Sequence, residues 1–206
     1  MQSSILANKS EHNKNSNNTV YVVDDDRYIC EAICELLEKL SICCRIFNSA
    51  EEFIDSLPLE ESGCIILDIS MRGMSGIELQ KNLIELKCDL PIIFLTGNCT
   101  VGAAVDALKD GAFDFLEKPI NNERFIGVIK EALAKSEKAA VIRNKIKSLT
   151  ARENEIYNFI ITGRCNKAIA EDLGVSISTV EFHRSNIMKK LNAKNLAELI
   201  AIGQIN

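Results

Sequence analysis

Carboxylates, a hydroxyl and an ammonium follow the apolar runs in the first part of this sequence. Asp24 and Asp25 follow TVYVV, Asp68 follows CIIL, Thr96 closes PIIFLT, and Lys118 comes just after FDFL. If the runs are parallel strands, their carboxyl ends meet at one edge of a sheet. Clustered carboxylates need a counter-charge, which Mg²⁺ supplies through oxygen ligands. Lysine and threonine beside such a metal suit phosphoryl oxygens, so these residues predict phosphoryl chemistry on a carboxylate.

The elements that would position these residues alternate between strand-like and helical patterns. The near-continuous apolar runs are typical of strands covered on both faces, so we predict an α/β fold with a doubly wound five-stranded parallel sheet. Asp26 is expected to be the N-cap of the first helix. The predicted strands are 19–23, 43–47, 64–67, 91–95 and 113–116, and the predicted helices are 27–40, 50–56, 76–87, 101–110 and 122–135.

The strand signal vanishes from residue 148 onward, and helical signals replace it. Capping-box patterns begin at Thr150, Ser178 and Asn195. A short helix around Lys167–Leu173 ends at Gly174 and is followed by another helical pattern, which predicts a helix-turn-helix unit in a small all-α domain. The predicted domains are a disordered leader at 1–18, an α/β domain at 19–135, a helical linker at 136–148 and a helix-turn-helix domain at 149–206.

Charge divides the chain in the same way. Residues 19–142 carry 12 basic and 22 acidic residues, whereas residues 143–206 carry 10 and 6. This asymmetry predicts two domains with different partners, and the partner predicted for the second, basic domain is nucleic acid. No apolar run reaches the ~20 residues that span a bilayer, and no signal peptide is visible. We therefore expect a cytoplasmic protein with no membrane partner, in which the eight cysteines, without a CxxC pair, are buried reduced thiols.

The motifs VVDDD, LDISMRGMSGIEL, PIIFLTG and GAFDFLEKP, in this order, resemble the receiver domain of bacterial two-component response regulators of the FixJ-like subgroup. The resemblance covers residues 19–135 and implies a flavodoxin-like, non-enzymatic receiver. It implies that Asp68 accepts phosphate from a sensor histidine kinase. It also implies that Asp24, Asp25, Asp68 and the backbone carbonyl of Ser70 hold Mg²⁺.

The same resemblance implies that Thr96 and Lys118 bind the new phosphoryl group while Phe115 changes rotamer. Phosphorylation would then produce a homodimer through the surface around the predicted helix 101–110, strand 113–116 and helix 122–135. Two departures flank the phosphoacceptor. Arg72 replaces the customary proline, which we expect to loosen the loop after Asp68, and Asn98-Cys99-Thr100 replaces the usual His-Gly-Asp.

The stretch from Leu149 to Ile200 resembles a LuxR-type helix-turn-helix domain, which implies binding to double-stranded DNA. Helical geometry places Val180, Ile187 and Leu191 on one face, which should meet the domain core. The opposite face would then lie in the major groove, with its flanks on phosphates. We predict base-proximal positions for Phe182, Ser185 and Lys189, which share their face with Asn186, and phosphate contacts for Lys167, Thr179, His183 and Lys190.

Two other functions remain open on the residues alone. Asp24-x-Asp26, followed by Thr96 and Lys118, also fits the first motifs of haloacid-dehalogenase-type phosphatases, with Asp24 as the nucleophile and Asp26 as the general acid. The further acidic pair of that family is not evident downstream of Lys118. The other alternative is a DNA-binding regulator switched by oxidation of its thiols, for which the sequence provides no environment that lowers a thiol pKa.

Overall fold

Five parallel strands form one sheet in a computed structural model that describes residues 18–59, 62–97 and 107–203. The strand order is β2-β1-β3-β4-β5, in which the chain crosses from one half of the sheet to the other after β2. This is the predicted doubly wound topology, and β1 and β3 lie side by side at its centre. The strands are β1 Asn18–Val23, β2 Cys43–Phe47, β3 Ser62–Asp68, β4 Ile92–Thr96 and β5 Asp114–Glu117.

The helices cover the sheet and then form a separate bundle at the carboxyl end. Most of the predicted leader, residues 1–17, and most of the predicted helix 101–110 lie outside the described residues, although 107–109 are helical. The helices with full bounds are α1 Arg27–Lys39, α2 Ala50–Asp55, α3 Gly76–Glu85, α4 Asn122–Lys147, α5 Ala151–Ile161, α6 Asn166–Leu173, α7 Ile177–Leu191 and α8 Leu196–Gly203.

Alternate side chains of the central strands enter two different cores. In β1, Val20 and Val22 pack with α1 and α4, whereas Tyr21 and Val23 pack with α2 and α3 on the opposite face. Both faces of the strand are therefore buried, which explains why residues 20–23 are apolar at every position rather than at every second one. At the carboxyl edge of the sheet, buried polar side chains follow these apolar runs: Asp24 after β1, Asp68 at the end of β3 and Thr96 at the end of β4.

Helix caps follow the sequence patterns at most starts. The Asp26 carboxylate accepts hydrogen bonds from the backbone N–H groups of Tyr28 and Ile29, which confirms it as the N-cap of α1. The predicted cap at Ser178 is wrong, because α7 begins two residues earlier with Ser176 as its N-cap. The Ser176 hydroxyl accepts from the N–H of Thr179, whereas Ser178 lies within the first turn of α7.

Helix α4 is continuous across the predicted boundary at residues 135 and 136. Its buried Ser136 hydroxyl accepts a hydrogen bond of 3.0 Å from the backbone N–H of Gly63, at the start of β3. In the last turn of α4, Ile146 packs against the core of the second domain. A single helix therefore closes the sheet domain and enters the helical one.

The helical domain is held together partly by an ion pair under its capping box. Glu153 is only 4% exposed, and its carboxylate accepts hydrogen bonds from the backbone N–H of Thr150 and from the Lys190 ammonium at 2.7 Å. The Lys190 ammonium also reaches the backbone carbonyl of Ser148 at 3.4 Å. The hydrogen bond from Lys190, aided by that from Thr150, holds the pKa of Glu153 below its usual value.

The cysteines depart from the prediction that all eight are buried reduced thiols. Cys34 of α1 and Cys44 of β2 are joined by a disulfide, with their Cα atoms 5.7 Å apart. Cys43 and Cys165 are free but exposed, since they lie on an edge strand and in the loop before α6. Among the described residues, no helix is both long and apolar enough to cross a membrane.

Replacing Glu153 by Gln should lower the free energy of unfolding by about 1–3 kcal/mol at pH 7, because Lys190 loses its buried partner. Since the pKa of Glu153 is depressed in the folded protein, its contribution is present above the ordinary value of 4.5 and is lost as the pH falls through the depressed one. Denaturant unfolding of both proteins at pH 7 and pH 3 measures the difference, which should shrink at pH 3.

The control is Glu155→Gln, which removes an exposed ion pair with Arg152 in the same helix. It should change the free energy of unfolding by less than about 0.5 kcal/mol. A loss in Glu153→Gln that persists unchanged at pH 3 would contradict the assigned role of the ion pair.

Candidate functional site

Three carboxylates converge where β1 and β3 leave the sheet. Asp24, Asp25 and Asp68 can each place one oxygen so that all three lie within 4.8 Å of one another, and no other such group of metal-ligand side chains occurs in the described part of the chain. Asp24 and Asp68 are buried, whereas Asp25 is exposed. The sequence predicted that residues at the carboxyl ends of the parallel strands would meet at one edge of the sheet, and these three carboxylates do so. We call this expectation the strand-end rule.

The Lys118 ammonium bridges two of these carboxylates. Its Nζ lies 2.8 Å from Asp24 Oδ2 and 2.7 Å from Asp68 Oδ1. Burial alone would lower the pKa of Lys118, but its hydrogen bonds to Asp24 and Asp68 more than offset this and raise it. The lysine is therefore held in its charged form, and the Lys118–Pro119 peptide bond that follows it is cis.

The acidic cluster still carries an excess of negative charge. Burial raises the pKa of Asp24 despite its hydrogen bonds from Lys118 and from the backbone N–H of Asp26, and repulsion from Asp68 adds to the rise. A further cation close to such a buried carboxylate stabilises its charged form. Three carboxylate oxygens from two adjacent loops form a donor set that fits Mg²⁺, which prefers oxygen ligands and retains several waters.

The remaining predicted residues of this site lie around the carboxylates. The backbone N–H of Ser70 donates to Asp68 Oδ2 at 2.8 Å, and Thr96 is buried at the end of β4. Phe115 is half-buried on β5 and stacks on Phe94, with ring centroids 5.0 Å apart. The structure thus brings Ser70 and Thr96 to the sheet edge that carries the acids and places Phe115 on the strand beside Thr96.

The loop after Asp68 is more constrained than we expected from the loss of proline at position 72. The backbone N–H of Arg72 donates to Asp25 Oδ2 at 3.3 Å, a bond that proline cannot make. At the end of this loop, a Cβ on Gly76 would lie 2.1 Å from the backbone oxygen of Asp68. Only glycine fits there, and its own N–H donates to the backbone oxygen of Ile69 at 3.1 Å, which joins the two ends of the loop.

The second candidate site is the exposed face of α7. Val180, Ile187 and Leu191 are buried against the other helices of the domain, as the helical geometry predicted. The Arg184 guanidinium donates to Asn166 Oδ1 at 2.7 Å and so fixes α7 against α6. The two helices and their short connection form a helix-turn-helix unit, with Gly174 ending α6 in the left-handed conformation at φ +62.

The predicted DNA-binding residues differ in how exposed their side chains are and in whether those side chains are hydrogen-bonded. Phe182 is 63% exposed and its ring packs edge-on against His183, which is half-buried. Thr179 is half-buried, and its hydroxyl hydrogen-bonds that of Ser176 at 2.8 Å. Lys167, Ser185 and Lys189 are exposed, and their side chains make no hydrogen bond to another described residue. Asn186 is half-buried.

Lys190 differs from its prediction as a phosphate contact. Its ammonium is engaged by the buried carboxylate of Glu153 inside the domain, and for this reason we leave it out of the proposed DNA contacts. Sequence reasoning also missed Arg184, which positions α7, and the role of Ser176, which caps α7 in place of Ser178. The Ser176 and Ser178 hydroxyls lie 2.8 Å apart at the start of the helix. The pattern Ser-Ile-Ser-Thr signalled hydroxyls there, but it did not say which one caps the helix.

Comparison with known families assigns both halves of the chain. Residues 20–130 match the response regulator receiver domain, and residues 147–202 match the bacterial regulatory proteins of the luxR family. The transcriptional regulatory protein FixJ of Bradyrhizobium diazoefficiens is 36% identical over 190 residues, covering 89% of this chain and 93% of the relative. The response regulator protein TmoT of Ectopseudomonas mendocina is 34% identical over 199 residues, with 93% and 90% covered.

Solved structures give the same result over most of the chain. The response regulator StyR has a TM-score of 0.57 at 35% identity, covering 93% of this chain and 100% of that one. Full-length FixJ from B. japonicum has a TM-score of 0.55 at 34% identity, covering 91% and 96%. None of these matches supports the phosphatase or the thiol-switched alternative. The chain is a response regulator of two-component signalling, and it belongs to the family that joins a receiver domain to a LuxR-type DNA-binding domain.

Proposed function

We propose that the chain is a non-enzymatic switch that accepts a phosphoryl group on Asp68 from a sensor histidine kinase and then binds DNA as a homodimer in the cytoplasm. The observation that carries this proposal is the Lys118 ammonium, which lies between Asp68 and Asp24 at hydrogen-bonding distance from both. Asp68 ends β3, so its carboxylate lies at the carboxyl edge of the sheet beside Asp24 and Lys118. Asp26 is engaged as a helix cap, which argues against its acting as a general acid.

Mg²⁺ would be held by Asp24, Asp25, Asp68 and the backbone carbonyl of Ser70. When bound, it would neutralise the acids and the charge that develops on the transferring phosphoryl group. One carboxylate oxygen of Asp68 would attack the phosphorus of the kinase's phosphohistidine, the P–N bond would break and the imidazole would leave, while Lys118 holds the Asp68 carboxylate in place. After transfer, the Lys118 ammonium and the Thr96 hydroxyl would bind phosphoryl oxygens, both being donors at the same sheet edge.

A phosphoryl group adds a charge of about −1.5 to −2 at Asp68. Movement of Thr96 and Lys118 toward the phosphoryl group would shift β5, which pairs with β4. Phe115 of β5 is partly buried against the core on one face of the sheet. The backbone oxygen of Phe115 accepts a hydrogen bond from Arg124, in the first turn of α4, at 2.8 Å. We propose that the homodimer forms through the surface around β5 and the start of α4. Pairing two copies doubles the number of DNA contacts.

Replacing Asp68 by Asn should abolish phosphorylation by a small phosphodonor such as acetyl phosphate in the presence of Mg²⁺. The reason is that an amide cannot form the acyl phosphate. Intact-protein mass spectrometry detects the added phosphoryl group. The control is Asp26→Asn, which keeps a capping residue beside the site and should be labelled like wild type. Labelling of Asp68→Asn to the wild-type extent would exclude Asp68 as the acceptor.

Phosphorylation should convert the wild-type protein to a dimer and raise its affinity for duplex DNA. Size-exclusion chromatography and fluorescence anisotropy, with and without the phosphodonor, measure the two effects. Asp68→Asn should show neither change, which separates the switch from a direct effect of the reagent. A phosphorylated protein that stays monomeric with unchanged DNA affinity would contradict the switch while leaving the phosphoacceptor intact.

We propose that Phe182, Ser185 and Lys189 of α7 lie near bases, whereas Lys167, Thr179 and His183 lie near phosphates. Their support is the exposed face of α7 opposite its buried residues, together with the hydroxyls at its start. Phosphate contacts contribute affinity without sequence information, and base contacts contribute specificity. The two groups should therefore respond differently to the DNA sequence and to salt.

Lys167→Ala should weaken binding to random and selected duplexes alike and lower the slope of log affinity against log salt by about 1. Phe182→Ala should cost about 1–3 kcal/mol only on a duplex selected from a random pool by the wild-type protein. Anisotropy titrations at several salt concentrations measure both effects. The control is Lys81→Ala, an exposed lysine of α3 in the receiver. Equal losses on both duplexes for Phe182→Ala would contradict its place near bases.

A further inference from the structure

Arg72 brings a second cation to the acidic cluster of the receiver. It lies in the loop between β3 and α3, and its Nε is 3.9 Å from Asp25 Oδ2 while its backbone N–H donates to the same oxygen. The Arg72 side chain is 98% exposed, whereas that of Asp25 is 32% exposed. The guanidinium therefore approaches the carboxylate from the solvent side.

The surrounding loop holds Arg72 in this position. The backbone N–H of Ser70 is bonded to Asp68 and that of Met74 donates to Glu51 Oε1 at 3.1 Å. Between them, Gly73 adopts φ +78, and a Cβ there would lie 2.9 Å from the same Glu51 oxygen. The loop is thus tied on both sides of Arg72, and its path presents the arginine backbone and side chain to Asp25.

Arg72 also reduces the net negative charge of the cluster. Lys118 contacts Asp24 and Asp68, and within the described residues Arg72 is the cation paired with Asp25. Three carboxylates with both cations carry a formal charge of −1, whereas Lys118 alone would leave −2. A divalent cation is attracted less strongly to the less negative cluster.

We propose that Arg72 sets the Mg²⁺ affinity of the receiver by competing with the metal for Asp25. The guanidinium lies 3.9 Å from Asp25 Oδ2, so a cation that binds this carboxylate would meet its positive charge and would approach a cluster that the guanidinium has made less negative. This inference rests on the proposed function, in which Asp25 is a metal ligand. Arg72 is a positioning residue, because it acts on Asp25 and not on the phosphoryl group.

Isothermal titration of the full-length protein with MgCl₂ tests this inference without using phosphorylation. Arg72→Ala and Arg72→Gln remove the charge but keep the backbone N–H, and both should bind Mg²⁺ about threefold more tightly or better at low salt. Arg72→Lys keeps a cation and should stay near the wild-type affinity. The advantage of the neutral variants should fall as ionic strength rises, because the competing charge is exposed.

Two controls separate this inference from the proposed function. Asp25→Asn should bind Mg²⁺ weakly whether position 72 is Arg or Ala, since the contested ligand is gone. Equal Mg²⁺ affinities for wild type, Arg72→Ala and Arg72→Gln, with weak binding by Asp25→Asn, would overturn the role of Arg72 and leave the metal site standing. Failure of wild type and of every variant at position 72 to bind Mg²⁺ would overturn both proposals.

Discussion

Repulsion among carboxylates at one sheet edge is the constraint around which the receiver is arranged. Asp24 and Asp68 are both buried, and like charges in that position cost free energy unless a cation lies between them. The Lys118 ammonium meets this need, and it comes from the far edge of the sheet, beyond β4. The site therefore exists only when β1, β3 and β5 are all in place. Its assembly depends on the complete sheet, not on any single motif.

Helix α4 connects this site to the DNA-binding domain. At its first turn, Arg124 bonds the backbone of β5, the strand that leads to Lys118. At its other end, Ile146 packs into the helical core, and the carbonyl of its C-cap residue Ser148 meets Lys190 of α7. A continuous helix with contacts at both ends is a physical route for coupling. Coupling along it further requires two arrangements of α4 or its contacts, which the phosphoryl group would have to favour unequally.

Much of the sheet and the placement of the candidate acids could be predicted from sequence because both follow from local patterns. Apolar runs buried on both faces identify β1 and β3, and the strand-end rule then brings Asp24 and Asp68 together. The disulfide between Cys34 and Cys44 could not be predicted, because it depends on how α1 lies against an edge strand. The partner of Lys190 was missed for the same kind of reason, since Glu153 is 37 residues away along the chain.

The loop after Asp68 illustrates how a local sequence rule can point in the wrong direction. Losing a proline removes a restriction on the unfolded chain, which led us to expect a looser loop. Proline also lacks an N–H, however, and at position 72 the arginine uses its own N–H to bond Asp25. With arginine at position 72, the loop lacks the fixed backbone angle of a proline but has a hydrogen bond from the Arg72 N–H to Asp25. The arginine also adds a charge beside an acidic cluster that a metal is expected to bind, so its effect on the receiver is electrostatic as well as conformational.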